Sequence, residues 1–68
     1  MGDMTTNRAI RRYMQQKGLC AEELSRRSGI EQRGLERAIS ELRPIYADEL
    51  WRLAYALGVS VEKLLFAE

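Results

Sequence analysis

The chain has 68 residues, of which 46% are hydrophobic and 31% are charged, and its formal net charge is +1. A chain of this length forms one domain, residues 1–68, and its composition is typical of a folded protein rather than a disordered one. The near-neutral total excludes a strongly basic nucleic-acid binder, although residues 1–19 carry an excess of basic residues over the single acidic residue Asp3.

Several features that catalysis, metal binding or membrane insertion require are missing from the sequence. There is no histidine and Cys20 is the single cysteine, so neither a disulfide nor a metal site is expected. We interpret Cys20 as a small, partly buried side chain, with a redox-active thiol as the alternative. No nucleophile–base pair, glycine-rich phosphate loop, signal peptide or membrane-spanning run occurs. We therefore expect a cytoplasmic, non-enzymatic protein without a cofactor, a small-molecule substrate or a membrane partner.

The first of five predicted helices covers about residues 6–17. Thr5 or Thr6 is placed to cap its N-terminus, because a hydroxyl accepts a hydrogen bond from a first-turn amide. Its apolar face comprises Ile10, Tyr13, Met14 and the stem of Lys17. Three arginines point the other way: Arg8, Arg11 and Arg12.

The second predicted helix covers about residues 21–28 and is followed by a break at Gly29. Glu22 and Arg26 are expected to form an outward-facing i,i+4 ion pair. Ile30, directly after the break, is expected to fill the core.

The third predicted helix covers about residues 31–42. Its buried stripe is Leu35, Ala38, Ile39 and Leu42. Arg33, Arg37 and Ser40 lie opposite that stripe on the helical wheel. Gly34 costs up to about 1 kcal/mol relative to alanine, so either a close backbone approach requires it or the helix tolerates it.

Two further helices complete the predicted core, which spans about residues 6–65. The fourth covers about residues 47–57 and buries Leu50, Leu53, Ala54 and Leu57. The fifth, about residues 61–65, is capped by Ser60 and buries Val61, Leu64 and Leu65. No alternating strand pattern occurs, so the expected fold is all-α.

Helices two and three have the residue types of a helix-turn-helix in the correct register. The motif requires a small residue within its first helix, a glycine with positive φ at the turn, and apolar residues around the angle between the helices. The positions that fit are Leu24, Ser25, Gly29, Ile30, Leu35 and Ala38.

From Ile10 to Leu65 the chain resembles the lambda-repressor/Cro-like (XRE) helix-turn-helix family. The similarity is clearest in KGLCAEELSRRSGI, which starts at Lys17, and in LWRLAYALGVSVEKLL, which starts at Leu50. It covers over four-fifths of the chain. The resemblance implies a compact five-helix bundle whose third helix lies in the DNA major groove, usually as half of a dimer.

The chain departs from the family pattern where family members contact DNA. Cys20 and Ala21 replace the usual Ser/Thr-Gln pair, and Ser28 replaces an apolar residue. The third helix begins with EQRG rather than with a Ser/Thr-rich sequence. Its last residues are AISE, so the family's apolar-Glu-x-Gly ending lacks both its glutamate and its glycine, and Glu41 stands at the glycine position.

The two arginines of helix three have two interpretations. Charged faces are often only solvated, and Glu36 and Glu41 could neutralise this one. Alternatively the face binds an anion, because arginine pairs with guanine, glutamine with adenine and glutamate with the cytosine amine. The candidate base contacts are Gln32, Arg33, Glu36 and Arg37. The candidate contacts to the DNA backbone are Arg11, Arg12, Arg26, Ser40 and Arg43.

Three aromatic residues outside the core stripes are candidates for a dimer interface: Trp51, Tyr55 and Phe66. Equally, they could extend the core by contacting helices one and five.

The sequence thus predicts a small sequence-specific DNA-binding regulator, a repressor, that acts as a homodimer on double-stranded DNA. The alternative is a protein-interaction module on the same scaffold that has lost DNA binding and pairs with a repressor or another protein partner.

Overall fold

The computed structural model describes residues 4–66, which fold into five α-helices, and those residues contain no strand. The helices are α1 (Thr5–Lys17), α2 (Ala21–Ser28), α3 (Gln32–Ile39), α4 (Ala47–Leu57) and α5 (Val61–Leu65). The predicted all-α, five-helix architecture is confirmed. The predicted bounds agree for α2, α4 and α5, whereas α3 is shorter than expected at both ends.

One apolar core joins all five segments, because every helix is too short to be stable in water without tertiary packing. α1 packs against α3, α4 and α5, and α2 packs against α3 and α4. The buried cluster consists of Ala9, Ile10, Met14, Leu24, Ile30, Leu35, Leu53, Ala54, Leu57 and Leu64.

Three predicted burials are wrong. Leu42 is 63% exposed, because α3 ends at Ile39 and the chain has already left the helical path. Leu65 is about half exposed, since the neighbouring Leu64 occupies the inward position of α5. Cys20, expected to be partly buried, is exposed.

The N-terminus of α1 also differs from the prediction. Thr5 and Thr6 lie inside the helix, and the capping position is Met4, which makes no side-chain hydrogen bond to the first turn. Thr6 instead donates from Oγ1 to the carbonyl of Leu64, 3.2 Å away. Its hydroxyl therefore links the first helix to the last one.

The turn between α2 and α3 has the predicted geometry. Gly29 has a φ of 78°, in the left-handed region that glycine adopts without strain. Ser25 Oγ donates to the carbonyl of Ile30, and Ser28 Oγ accepts from the Ile30 amide at 3.2 Å. Ser28 is buried. Its hydroxyl satisfies the amide of the residue that fills the angle between the helices, which explains a polar residue there.

The C-terminus of α3 is a Schellman motif with a glutamate at the glycine position. The Leu42 amide donates to the Arg37 carbonyl at 2.8 Å, and the Glu41 amide donates to the Ala38 carbonyl at 3.0 Å. Glu41 has a φ of 63° and is the only residue other than glycine with positive φ within residues 4–66. This conformation costs an L-residue roughly 1–2 kcal/mol. The surrounding contacts must therefore hold Glu41 in place.

Candidate nucleic-acid interface

The outer face of α3 is polar and lies opposite its buried side. Leu35 and Ala38 are fully buried, whereas Arg33 and Arg37 are exposed on the other side. Gln32 and Glu36, also exposed, are joined by a hydrogen bond of 3.0 Å from Gln32 Nε2 to Glu36 Oε2. The structure thus brings all four candidate base contacts together on the solvent side of one short helix.

Arg33 and Arg37 have no ion-pair partner in the described part of the chain. Glu36 accepts from Gln32 instead. Glu41 pairs with Arg8 and Arg11, with the Arg8 Nη2 to Glu41 Oε1 distance being 3.1 Å. Neutralisation of this face by Glu41 is therefore wrong, because Glu41 pairs with arginines of α1. Glu36 still adds one negative charge to the exposed face, where Arg33 and Arg37 form no ion pair within residues 4–66.

Arg43, a candidate contact to the DNA backbone, is instead committed to partners within the protein. Its Nη1 and Nη2 lie 2.8 and 2.9 Å from the two carboxylate oxygens of Glu49. Its Nε donates to the Gly34 carbonyl at 3.0 Å, and Nη1 also donates to the Pro44 carbonyl. Because this guanidinium ties α3 to α4, we remove Arg43 from the set of candidate DNA contacts.

The Arg43 guanidinium also lies beside Gly34 of α3. A Cβ built on Gly34 would lie 3.4 Å from Arg43 Nη2 and 3.4 Å from Glu31 Oε1. Glu31 precedes α3 and accepts a hydrogen bond from the Gly34 amide at 3.0 Å. The atoms nearest to this Cβ are the ends of two flexible side chains and not backbone, so a close backbone approach does not explain Gly34 and the helix tolerates the glycine.

Asn7 positions the end of α3, a role that sequence analysis missed. It is 3% exposed, and its Nδ2 donates to the carbonyls of Ala38 at 2.8 Å and Arg43 at 2.9 Å. One amide group in the first turn of α1 therefore binds both the last turn of α3, at Ala38, and the connecting segment beyond it, at Arg43. No local sequence pattern signals a contact between residues so far apart.

The other candidate contacts to the DNA backbone differ in whether they already have a partner within the protein. Arg12 and Ser40 are exposed, and Arg12 lies over the Tyr13 ring at 5.7 Å. Arg26 pairs with Glu23, not with Glu22 as predicted, and Arg27 shares the same carboxylate at 2.9 Å. Hydrogen bonds from Arg27 and then Arg26 lower the pKa of Glu23.

The three aromatic candidates are all exposed: Trp51 by 58%, Tyr55 by 84% and Phe66 by 73%. Arg52 lies over the Trp51 ring at 5.9 Å. The interpretation in which these residues extend the core is therefore wrong. All three are large apolar side chains exposed to solvent, and contiguous patches of such side chains are typical of interfaces.

Within residues 4–66, no group of three or more histidine, cysteine, aspartate or glutamate side chains is arranged to hold a metal ion. None of the described helices has the length and apolar character needed to cross a bilayer.

Two helices joined by a glycine turn, with a polar second helix facing solvent, define the helix-turn-helix class of DNA-binding proteins. Comparison with known families agrees: residues 9–67 match the model of the Cro/C1-type HTH DNA-binding domain. The chain belongs to this family, whose members are DNA-binding regulators rather than enzymes. No curated protein and no solved structure matches the chain significantly.

Proposed function

We propose that this domain is a sequence-specific transcriptional repressor that acts in the cytoplasm as a homodimer and inserts α3 into the DNA major groove. The observation that supports this most directly is the pair of exposed arginines on α3, which form no ion pair within residues 4–66. Each can donate two hydrogen bonds to a guanine, which is worth about 1–3 kcal/mol of discrimination. Gln32 and Glu36 would read neighbouring bases from the same face.

The proposed backbone contacts are Arg11, Arg12, Arg26 and Ser40. Arg12 has no ion-pair partner among residues 4–66, Ser40 is exposed, and Arg26 would exchange Glu23 for a phosphate. A single module of this size buries little DNA surface, so useful affinity requires two copies on a palindromic site. Trp51, Tyr55 and Phe66 supply the exposed apolar surface through which two copies would associate.

A protein-interaction module remains the alternative function, and one observation favours it. Several arginines outside α3 already have carboxylate partners: Arg8, Arg11, Arg26, Arg27 and Arg43. These pairs reduce the positive field that would attract DNA. The exposed aromatic residues would then bind a different protein.

Selection from a random duplex library at low salt separates the two functions. We expect enrichment of an inverted repeat, as a symmetric dimer requires. No enrichment by a protein shown to be folded and helical would contradict DNA reading and favour the interaction module.

Charge-matched variants test the role of α3. Arg33→Ala combined with Arg37→Ala should abolish selection while helicity persists, at a cost of at least about tenfold in affinity per arginine. Lys17→Ala combined with Arg27→Ala removes the same charge elsewhere and should retain the selected sequence. Equal behaviour of the two double variants would refute the assignment of α3 as the recognition helix.

A further inference from the structure

Arg8 and Arg11 of α1 converge on one carboxylate, that of Glu41. Arg8 Nε lies 3.2 Å from each of the two oxygens, and Arg8 Nη2 lies 3.1 Å from Oε1. Arg11 Nη2 approaches Oε2 at 3.6 Å. Two guanidinium groups one turn apart on a helix thus surround a single anion, in the geometry with which arginine also binds phosphate.

This cluster lies just beyond the C-terminus of α3. Glu41 follows Ser40, which shares the outer face with Arg33 and Arg37. Arg8 and Arg11 have side chains that are 62% and 47% exposed despite their ion pairs. An anion in solution therefore has access to both arginines.

The backbone conformation at Glu41 would suit glycine better than glutamate. A glycine at this position would adopt a φ of 63° without steric cost, whereas a glutamate does not. The Glu41 carboxylate stays ionised, because hydrogen bonds from Arg8 hold its pKa below the ordinary glutamate value. It reduces the net charge of the three-residue cluster from +2 to +1.

We propose that Arg8 and Arg11 form a phosphate-binding site for the DNA backbone and that Glu41 is its resident competing anion, which limits how strongly the domain holds DNA. This inference rests on the proposed function for the identity of its ligand. It adds Arg8 to the backbone contacts and assigns Glu41 the role of setting affinity and salt dependence.

The test uses fluorescence anisotropy with a mixed-sequence duplex of about 20 base pairs across a range of salt concentrations, so that no operator needs to be known. Glu41→Gln removes the competing charge. It should raise affinity about tenfold in dilute salt and steepen the slope of log K against log salt by about one, as one further phosphate contact would. Glu62→Gln, on the exposed surface of α5, makes the same change in net charge and should leave the slope unchanged.

Two additional variants exclude trivial explanations. Glu41→Gly removes the charge and also the left-handed strain, so it should bind like Glu41→Gln even if the glutamine variant is less stable, as thermal melts would show. Adding Arg8→Gln and Arg11→Gln to Glu41→Gln should abolish the gain. A Glu41→Gln slope equal to that of Glu62→Gln, or a gain that survives loss of both arginines, would overturn the proposal.

The variants of α3 and those of Glu41 distinguish failure of the proposed function from failure of the phosphate site. If Arg33→Ala with Arg37→Ala weakens binding while the Glu41 variants change nothing, the phosphate site is refuted and the proposed function stands. If the Glu41 variants behave as expected while the α3 variants do not, the phosphate site stands and the recognition helix is refuted. Failure of every variant and of the native chain to bind the duplex would refute both.

Discussion

Arg43 and Glu49 form a two-pronged ion pair that joins the C-terminal side of α3 to the first turn of α4, with N–O distances of 2.8 and 2.9 Å. Their side chains are only 15% and 14% exposed, so solvent screens the pair weakly. Glu49 Oε1 also accepts from the Tyr46 amide at 3.1 Å, and Arg43 lies 5.1 Å from the Tyr46 ring. The pair, together with the Arg43 bond to the Gly34 carbonyl, thus holds α3, the connecting segment and α4 together.

Loss of this guanidinium should therefore cost stability, unlike loss of the arginines on the face of α3. We expect Arg43→Met to lower the free energy of unfolding by about 2–3 kcal/mol, since it leaves a largely buried carboxylate without its partner. Arg43→Lys should recover only part of the lost stability, because an ammonium group cannot form both parallel hydrogen bonds to the Glu49 carboxylate. Urea unfolding of these variants should be compared with that of Arg37→Ala, which should leave the free energy of unfolding almost unchanged. A neutral Arg43→Met would contradict the structural role.

Glu49 makes stability depend on pH in the acid range. Burial by itself opposes ionisation, but the hydrogen bonds from Arg43 and from the Tyr46 amide outweigh it, so the pKa of Glu49 is lowered. Because the pKa in the folded state lies below the unfolded value of about 4.3, this stabilisation is complete above that value. It is lost as the pH falls through the lowered folded-state pKa.

A substitution that cannot titrate isolates this effect. Glu49→Gln should be less stable at neutral pH and should lose less further stability on acidification, as measured by thermal melts from pH about 6 to 2. The pKa values of Glu23 and Glu41 are lowered too, but their exposed ion pairs are screened by salt. At high salt the remaining acid sensitivity should depend on Glu49, and an unchanged pH profile in Glu49→Gln would contradict this.

Gly34→Ala should stabilise the domain. Alanine is favoured over glycine within a helix by up to about 1 kcal/mol. The added Cβ would make contacts of 3.4 Å with the ends of the Arg43 and Glu31 side chains, which can shift. We expect Tm to rise by several degrees. A decrease would show that the Arg43 guanidinium cannot move without loss of its bond to the Gly34 carbonyl.

The exposed aromatic residues should affect association rather than folding. We expect Trp51→Ala to change the unfolding free energy of the monomer by less than about 1 kcal/mol, since the side chain is mostly solvated. In sedimentation equilibrium it should weaken self-association, and Tyr55→Ala should do the same. Arg52→Ala, which removes a neighbouring exposed side chain, serves as the control. Unchanged association in both aromatic variants would contradict a dimer interface on this surface.

Local sequence patterns predicted most of the helical framework. The periodicity of apolar residues located all five helices, and the spacing of Ser25, Gly29 and Ile30 established the helix-turn-helix register. These features depend on contacts within a turn or two of the chain, which a sequence displays directly. The same periodicity placed Arg33 and Arg37 on the solvent side of α3, where the structure has them.

The end of α3 could not be predicted in the same way. The apolar spacing continued to Leu42, but the chain leaves the helix after Ile39 through the left-handed Glu41. That conformation is held by α1, through Asn7 bonding the Ala38 carbonyl and through Arg8 bonding the Glu41 carboxylate. A glutamate after a helix gives no sign of such a partner more than thirty residues earlier.

The sequence by itself therefore determined the helices, their class and the exposed arginines of α3, because each follows from periodicity and short-range sterics. Only the tertiary structure decided which arginines form ion pairs. Arg43 pairs with Glu49, and Arg8 and Arg11 pair with Glu41, whereas Arg33 and Arg37 have no ion-pair partner among residues 4–66. Ion pairing depends on distances between side chains from different helices, and those distances exist only once the core has brought the helices together.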